Sequence, residues 1–316
     1  MTLLQRGLGR TTRLPFRDQR GFALILVIAV LSVLALLAAA IAAETRSTAL
    51  GARTRLEIVA ARNLADSGVT IAIMRLLDRN EASRWQADGS VHEERYGEGT
   101  LRISITDEGG KIDLNNAPKE LIGGLLGEFV SADESSALAD AILDRRNEFA
   151  STSPSKARYF VGGSASFQSL ALLPFSDISE LRSIPGMSAT LYEQISPYVT
   201  VYSPSPLLNR QTGTRVVLLA IPNITPGDVD ALIASRHAAA QIAPAQLSAL
   251  ARYTRIANVQ AATIVAEARL AGGISFTRQA VVAISPNQPL QPPRFLRWRQ
   301  QLEGSDRAAE PAAASG

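Results

Sequence analysis

Twenty-two consecutive residues without a charge, Phe22 to Ala43 (FALILVIAVLSVLALLAAAIAA), constrain this chain more than any other feature. Wound as a helix they extend roughly 33 Å, enough to cross the hydrocarbon core of a bilayer. A secretory signal ordinarily has a shorter apolar core, about 7–15 residues, followed by a small-x-small cleavage site. The Ala-rich end of the stretch, Ala38 to Ala43, leaves such a cleavage open. Retention is favoured because helical character does not stop at the membrane edge. Residues 44–79 contain no Pro and only Gly51 and Gly68. In them Leu50, Ile58, Ala61, Ala65, Ala72 and Leu76 recur mostly at helical spacings, while Arg53, Arg55, Glu57, Arg62, Asp66, Arg75 and Asp78 supply polar faces. The expectation is one continuous helix, apolar in residues 22–43 and amphipathic in residues 44–79.

Charge is concentrated ahead of that helix. The formal charge of the chain is +3, yet residues 1–21 alone hold five Arg and one Asp. The remainder is close to neutral, with 27 basic and 28 acidic residues. A basic leader of this kind fixes the N-terminus in the cytoplasm and the rest outside. There are no cysteines and only two histidines, His92 and His237. Disulfides, thiolate zinc sites and cysteine nucleophiles are therefore excluded, and multi-histidine metal sites nearly so.

Beyond the helix, residues 80–95 read as a polar connector leading to GTLRISIT (99–106). There Leu101, Ile103 and Ile105 alternate with polar residues as in a half-buried strand. Residues 263–285 read as a hairpin turning at Ala271-Gly272-Gly273, and RFLRWRQ after Pro292-Pro293 reads as a last edge strand. The tail from Gly304 has the composition of a disordered segment. Between these strands the texture changes. Residues 115–146, 175–195 and 215–236 each read as helix, tight turn, helix, breaking near Gly127, at Pro185-Gly186 and after Pro222. Asp177 and Glu180 have capping-box spacing at the start of the second phrase.

Several phrases, in this order, resemble a known family. The basic leader ending in Gly21, followed by Phe22 and a long apolar helix, is similar to a class III (prepilin-type) signal. AETR after the span, ITDEGGKIDLNNAP (105–118) and FTRQAVV (276–282) resemble the K-subunit minor pseudopilins of type II secretion systems. The resemblance implies cleavage between Gly21 and Phe22 by a prepilin peptidase, with N-methylation of Phe22. An uncut signal anchor is the alternative. Pilins of this class usually carry Glu as the fifth mature residue, where it meets the N-terminal amine of the subunit above. Here that residue is Leu26, and an intramembrane carboxylate without a partner is costly. The K subunit is the member that lacks this Glu, as suits a subunit with nothing above it.

The fold expected of such a chain is α+β: a pilin-like long N-terminal helix on a small antiparallel sheet, with a large all-α, helix-hairpin-helix-like domain inserted. The expected divisions are 1–21 (leader), 22–43 (membrane), 44–79 (periplasmic helix), 80–106 with 253–300 (sheet), 107–250 (insertion) and 301–316 (tail). For function the resemblance implies a non-enzymatic subunit of the bacterial inner membrane, with its C-terminal part periplasmic. It would be incorporated at the pseudopilus tip to start assembly and support export of folded proteins. Its partners would be I- and J-type minor pseudopilins, the prepilin peptidase and the inner-membrane assembly platform.

The rivals are a minor pilin of a type IV pilus or competence system, and a membrane-anchored helix-hairpin-helix DNA receptor. Phosphate binding by such hairpins needs Gly-rich backbone donors in a basic setting. Residues 107–245 hold ten basic against fifteen acidic residues, and the turn of the third hairpin, Pro222 to Ile224, has no Gly, which argues against nucleic acid. His92 in its connector and His237 on a helix are expected at the surface. Carboxylate pairs such as Asp107-Glu108, Asp133-Glu134 and Asp228/Asp230 are expected as solvated helix starts. No cofactor is required, although the resemblance implies Ca2+ in the insertion. Asp107, Glu108, Asp113 and Asn115, at its entrance, are the first ligands to test.

Overall fold

The computed structural model describes residues 20–97, 99–152, 174–236, 250–285 and 291–301. A single helix, α1 (Arg20–Leu76), carries the whole apolar stretch and continues well past it. Among the described residues it is the one helix long and apolar enough to cross a membrane, by length and composition. From Leu24 to Ile41 every large apolar side chain is more than half exposed. Two units are distinguished, residues 1–56 and 57–316.

In the second unit, α1 lies on one face of a five-stranded antiparallel sheet. Its strands are β1 (Asp88–Tyr96), β2 (Gly99–Asp107), β7 (Ala261–Leu270), β8 (Ser275–Ala283) and β9 (Arg294–Gln301), in the order β1-β2-β7-β8-β9. Ala65, Val69, Ala72 and Leu76 are buried against Leu101, Ile103, Ile105, Ile264, Ala266 and Val282 of the sheet, and Ala61 on the same helical stripe is also buried. The stripe is made mostly of small residues, so helix and sheet approach closely. A Cβ at Gly68 would stand 2.9 Å from both Ala266 Cβ and Leu101 Cδ1. Leu50 and Ile58, assigned to the same stripe from sequence, are exposed, and the buried face begins at Ala61.

Residues 80–95 are not merely a connector. β1 occupies much of them, paired with β2 through registers such as His92↔Ile103. It carries no apolar alternation because it is a solvated edge strand.

The inserted part leaves β2 at Asp107 and returns to β7 at Ala261, and the two strands are neighbours paired Asp107↔Ala262. Its two ends are thus adjacent, which lets a long insertion interrupt the sheet without disturbing the ladder. It comprises β3 (Ile112–Asp113), α2 (Lys119–Gly127), α3 (Ala132–Thr152) and α4 (Ala189–Ile195), then β4 (Val199–Thr200) and β5 (Leu208–Asn209). After these come α5 (Arg215–Leu219), α6 (Pro226–Ser235) and β6 (Thr254–Arg255). The domain is not purely helical, since β3 pairs with β4 and β5 with β6 in short parallel bridges.

Its core gathers Leu121, Leu125, Leu138, Ile142, Leu181 and Leu218, and takes in Ala261 and Val281 from the sheet. The second helical phrase opens as a 3-10 turn, Ile178–Ser183, under the Asp177/Glu180 capping box. A second capping box, Thr225/Asp228, starts α6. The tight turns use left-handed backbone at Gly186 (φ 87°) and at Asn223 (φ 60°). Asn therefore serves in the third hairpin where Gly serves in the second. Gly127 is the last residue of α2.

Candidate functional site

Asp107, Glu108, Asp113 and Asn115 are all buried, each no more than 2% exposed. The expectation of a solvated Asp107-Glu108 pair is thereby corrected. β2 ends at Asp107 and a 3-10 turn (Glu108–Gly110) comes next, driving two successive carboxylates inward where insertion meets sheet. Burial is tolerated because every carboxylate finds donors. Asp107 Oδ1 accepts from the Gly109 N–H (2.9 Å). Its Oδ2 accepts from the Asn209 amide and the Thr212 hydroxyl, both at 2.7 Å. Glu108 Oε1 accepts from the Thr263 hydroxyl and the Lys111 ammonium, both at 2.7 Å, and Oε2 accepts from the Thr200 hydroxyl. Since Thr263 belongs to β7 and Thr200 to β4, Glu108 ties the sheet to the insertion through one side chain.

Five residues further on, Asp113 anchors the chain entering the helices. Its Oδ1 accepts from the backbone N–H groups of Asn115 (2.9 Å) and Asn116 (2.8 Å), and Oδ2 from Ser203 N–H (3.1 Å). Asn115 in turn binds both backbone groups of Phe175, donating to its C=O and accepting from its N–H at 2.9 Å. Arg146 of α3 closes the site, donating to the carbonyls of Leu114 (2.5 Å) and Ala117 (2.7 Å). Burial pushes Asp107 above its ordinary value and Asp113 up to about 7, against the pull of its N–H donors and of Arg146. Burial also lowers Arg146 to about 10.

Asp113 gives stability a pH dependence of definite sign. Between its ordinary 3.8 and about 7, the folded chain holds a proton that the unfolded chain has lost. This carboxyl's contribution is therefore fully present at acid pH. It declines as pH rises, by up to about 1.4 kcal/mol per unit, and is lost above the folded value. The isosteric Asp113→Asn variant has no such titration, so its destabilisation relative to wild type should be largest near pH 4.5 and shrink towards pH 7.5. Urea unfolding of both proteins at several pH values measures the gap. A gap that widens with pH contradicts the assignment.

The four residues do not pool their oxygens. Among the described residues no group of three or more His, Asp or Glu side chains is placed to hold a metal ion. Each carboxylate oxygen of Asp107, Glu108 and Asp113 already accepts at least one N–H or O–H group of the protein itself, so the arrangement works as a set of structural joints. Sequence reasoning missed the other half of the joints: Lys111, Arg146, Thr200, Asn209, Thr212 and Thr263. Only Lys111, at i+3 from Glu108, had a local signal.

The remaining candidates lie elsewhere. Gly21 and Phe22 fall in the first turns of α1, and Leu26 is an exposed residue of the same helix. His92 is on β1, with its ring stacked 3.9 Å from that of Trp85. His237 is outside the described residues. Asp133 and Glu134 do open α3, Asp228 completes a capping box, and Asp230 pairs with Arg215 at 2.8 Å.

Residues 104–205, which contain Asp107 to Asn115, Arg146 and Thr200, match the family described as type II secretion system, protein K. Through this stretch the chain is similar to the type II secretion system protein K family. The long helix and antiparallel sheet are also similar to a solved chain from the GspK-GspI-GspJ complex of the enterotoxigenic Escherichia coli type 2 secretion system. That likeness has a TM-score of 0.55 at 15% identity, over 79% of this chain and 99% of the other. At that identity it is a likeness of fold. No curated protein sequence matches. Protein K is a pseudopilin component of the secretion machinery, and the apolar N-terminal part of α1 fits a transmembrane anchor.

Proposed function

We propose that this chain is a minor pseudopilin that sits at the tip of the type II secretion pseudopilus, starts its assembly, and supports export of folded proteins across the outer membrane. The protein K match over residues 104–205, downstream of an uncharged 22-residue stretch in the same chain, carries the reading. The structural relative was solved as a complex of GspK with GspI and GspJ, which supports I- and J-type pseudopilins as partners. The basic leader favours a cytoplasmic N-terminus and a periplasmic body.

Leu26 supports the tip position: at the fifth mature residue a carboxylate has no amine to meet when no subunit lies above. The role is structural. Gly21-Phe22 would be processed by the prepilin peptidase, with Phe22 methylated, before the inner-membrane platform assembles the filament. The exposed flank of residues 44–79 would pack against the helices of other subunits.

N-terminal mass analysis of the membrane protein, with and without prepilin peptidase, tests this directly. A mature start at methyl-Phe22 that depends on the peptidase is expected, and Gly21→Val should leave the leader attached. An intact Met1 in both strains removes the pseudopilin reading.

A further inference from the structure

The two edges of the sheet differ in charge. β1 carries Asp88, Glu93 and Glu94 against Arg95. β9, RFLRWRQQ, has three arginines and no acid. β9 pairs with β8 alone, so among the described residues its outer backbone groups face no further strand. Register assigns its two faces. Trp298 lies opposite Ala280 and Phe295 opposite Val282, and both partners belong to the core under α1. The two rings are therefore on the α1 face, where they meet edge-on at 5.0 Å and remain 42% and 53% exposed. Beside them the Arg278 guanidinium lies 5.0 Å from the Trp298 ring. Its Nη2 is buried without an acceptor among the described residues. On the other face Arg297 pairs with Asp177 at 2.7 Å, and Arg299 donates to the neutral amide of Gln279.

We propose that β9 docks an acidic extended segment of a partner chain as a sixth strand of the sheet. Strand addition supplies backbone hydrogen bonds, and the alternating faces supply selectivity. Apolar side chains of the incoming strand would cover Phe295 and Trp298, while a carboxylate on its other face would meet Arg299, which donates to the neutral amide of Gln279. A second copy is a poor occupant. β9 against β9 would set six arginines side by side. The β1 edge of a second copy offers only Val91 and Tyr96 as apolar side chains to cover the two rings.

The proposal rests on the pseudopilin reading for the identity of the partner, and the test separates the two. The full-length chain is co-expressed with I- and J-type pseudopilins, extracted in detergent and affinity-purified. Trp298→Ala combined with Arg299→Glu should reduce the recovered partner at least tenfold. A photo-cross-linker at Gln300, which needs no disruptive variant, should join the chain to an acidic strand of that partner; one at Val91 on β1 should not. If the wild-type chain recovers neither pseudopilin, both readings fall together. If it recovers them and the variant does so equally, or Gln300 cross-links only to a second copy, strand addition at β9 alone is wrong.

Discussion

Gly124→Ala should destabilise the folded chain by about 3 kcal/mol, whereas Gly123→Ala, one residue earlier, should stabilise it slightly. Both glycines lie inside α2, where replacing Gly by Ala ordinarily contributes up to about 1 kcal/mol of stability. Their surroundings reverse the outcome at one of them. A Cβ at Gly124 would fall 2.1 Å from the carbonyl oxygen of Ala220 and 2.9 Å from its carbonyl carbon. Backbone cannot swing aside as a side chain can, so α2 would have to move off the end of α5. Overpacking of that kind costs roughly 1–3 kcal/mol and occasionally more. At Gly123 the added carbon would meet only Ala139 Cβ, at an ordinary 3.9 Å. Thermal or urea unfolding of the two variants decides the matter. Equal behaviour would mean that α2 and α5 are not in the close contact seen here.

The crossing of α2 with α5 could not be read from the phrase ELIGGLLGEF, in which the adjacent glycines look interchangeable. What was legible had a local cause. The uncharged run announced α1, alternation at Leu101, Ile103 and Ile105 announced β2, and the spacing of Asp177 and Glu180 announced a cap. β1 was missed because a strand solvated on its outer edge, rich in His92, Glu93, Glu94 and Arg95, has no apolar face to betray its period of two. The cap at Asp177 opens a 3-10 turn where an α-helix was expected.

The candidate site suffered most, for a related reason. Asp107 and Glu108 are charged and come at the end of a strand, so sequence assigns them to water. The groups that make their burial tolerable, Thr200, Asn209, Thr212 and Thr263, lie about 90 to 155 residues away. Ser, Thr and Asn carry no sequence mark that distinguishes a buried donor from a loop residue.

Glu108→Ala should lower stability by roughly 3–5 kcal/mol, with its strongest effect at the joint itself. Truncation leaves the Thr200 and Thr263 hydroxyls and the Lys111 ammonium without their acceptor, and Thr200 is fully buried. Unmade buried hydrogen bonds cost about 1–3 kcal/mol each, and a buried ion pair robbed of one partner costs more. Lys111 is 18% exposed and recovers some hydration, which holds the total near the lower end.

Glu108→Gln keeps one oxygen acceptor and the side-chain volume, so it should cost about half as much. The spatial pattern separates a tie between insertion and sheet from a general loss of packing. Amide exchange in Glu108→Ala, monitored by mass spectrometry, should rise in residues 107–114 and 199–205 before it rises in β7 and β8. Coupling adds a second check. Thr200→Val and Thr263→Val should each destabilise the wild type, yet change little when Glu108 is already Ala, because all three residues share one carboxylate. If the two threonine substitutions remain additive in the Glu108→Ala background, or exchange rises uniformly over the sheet, Glu108 is not the tie between insertion and sheet.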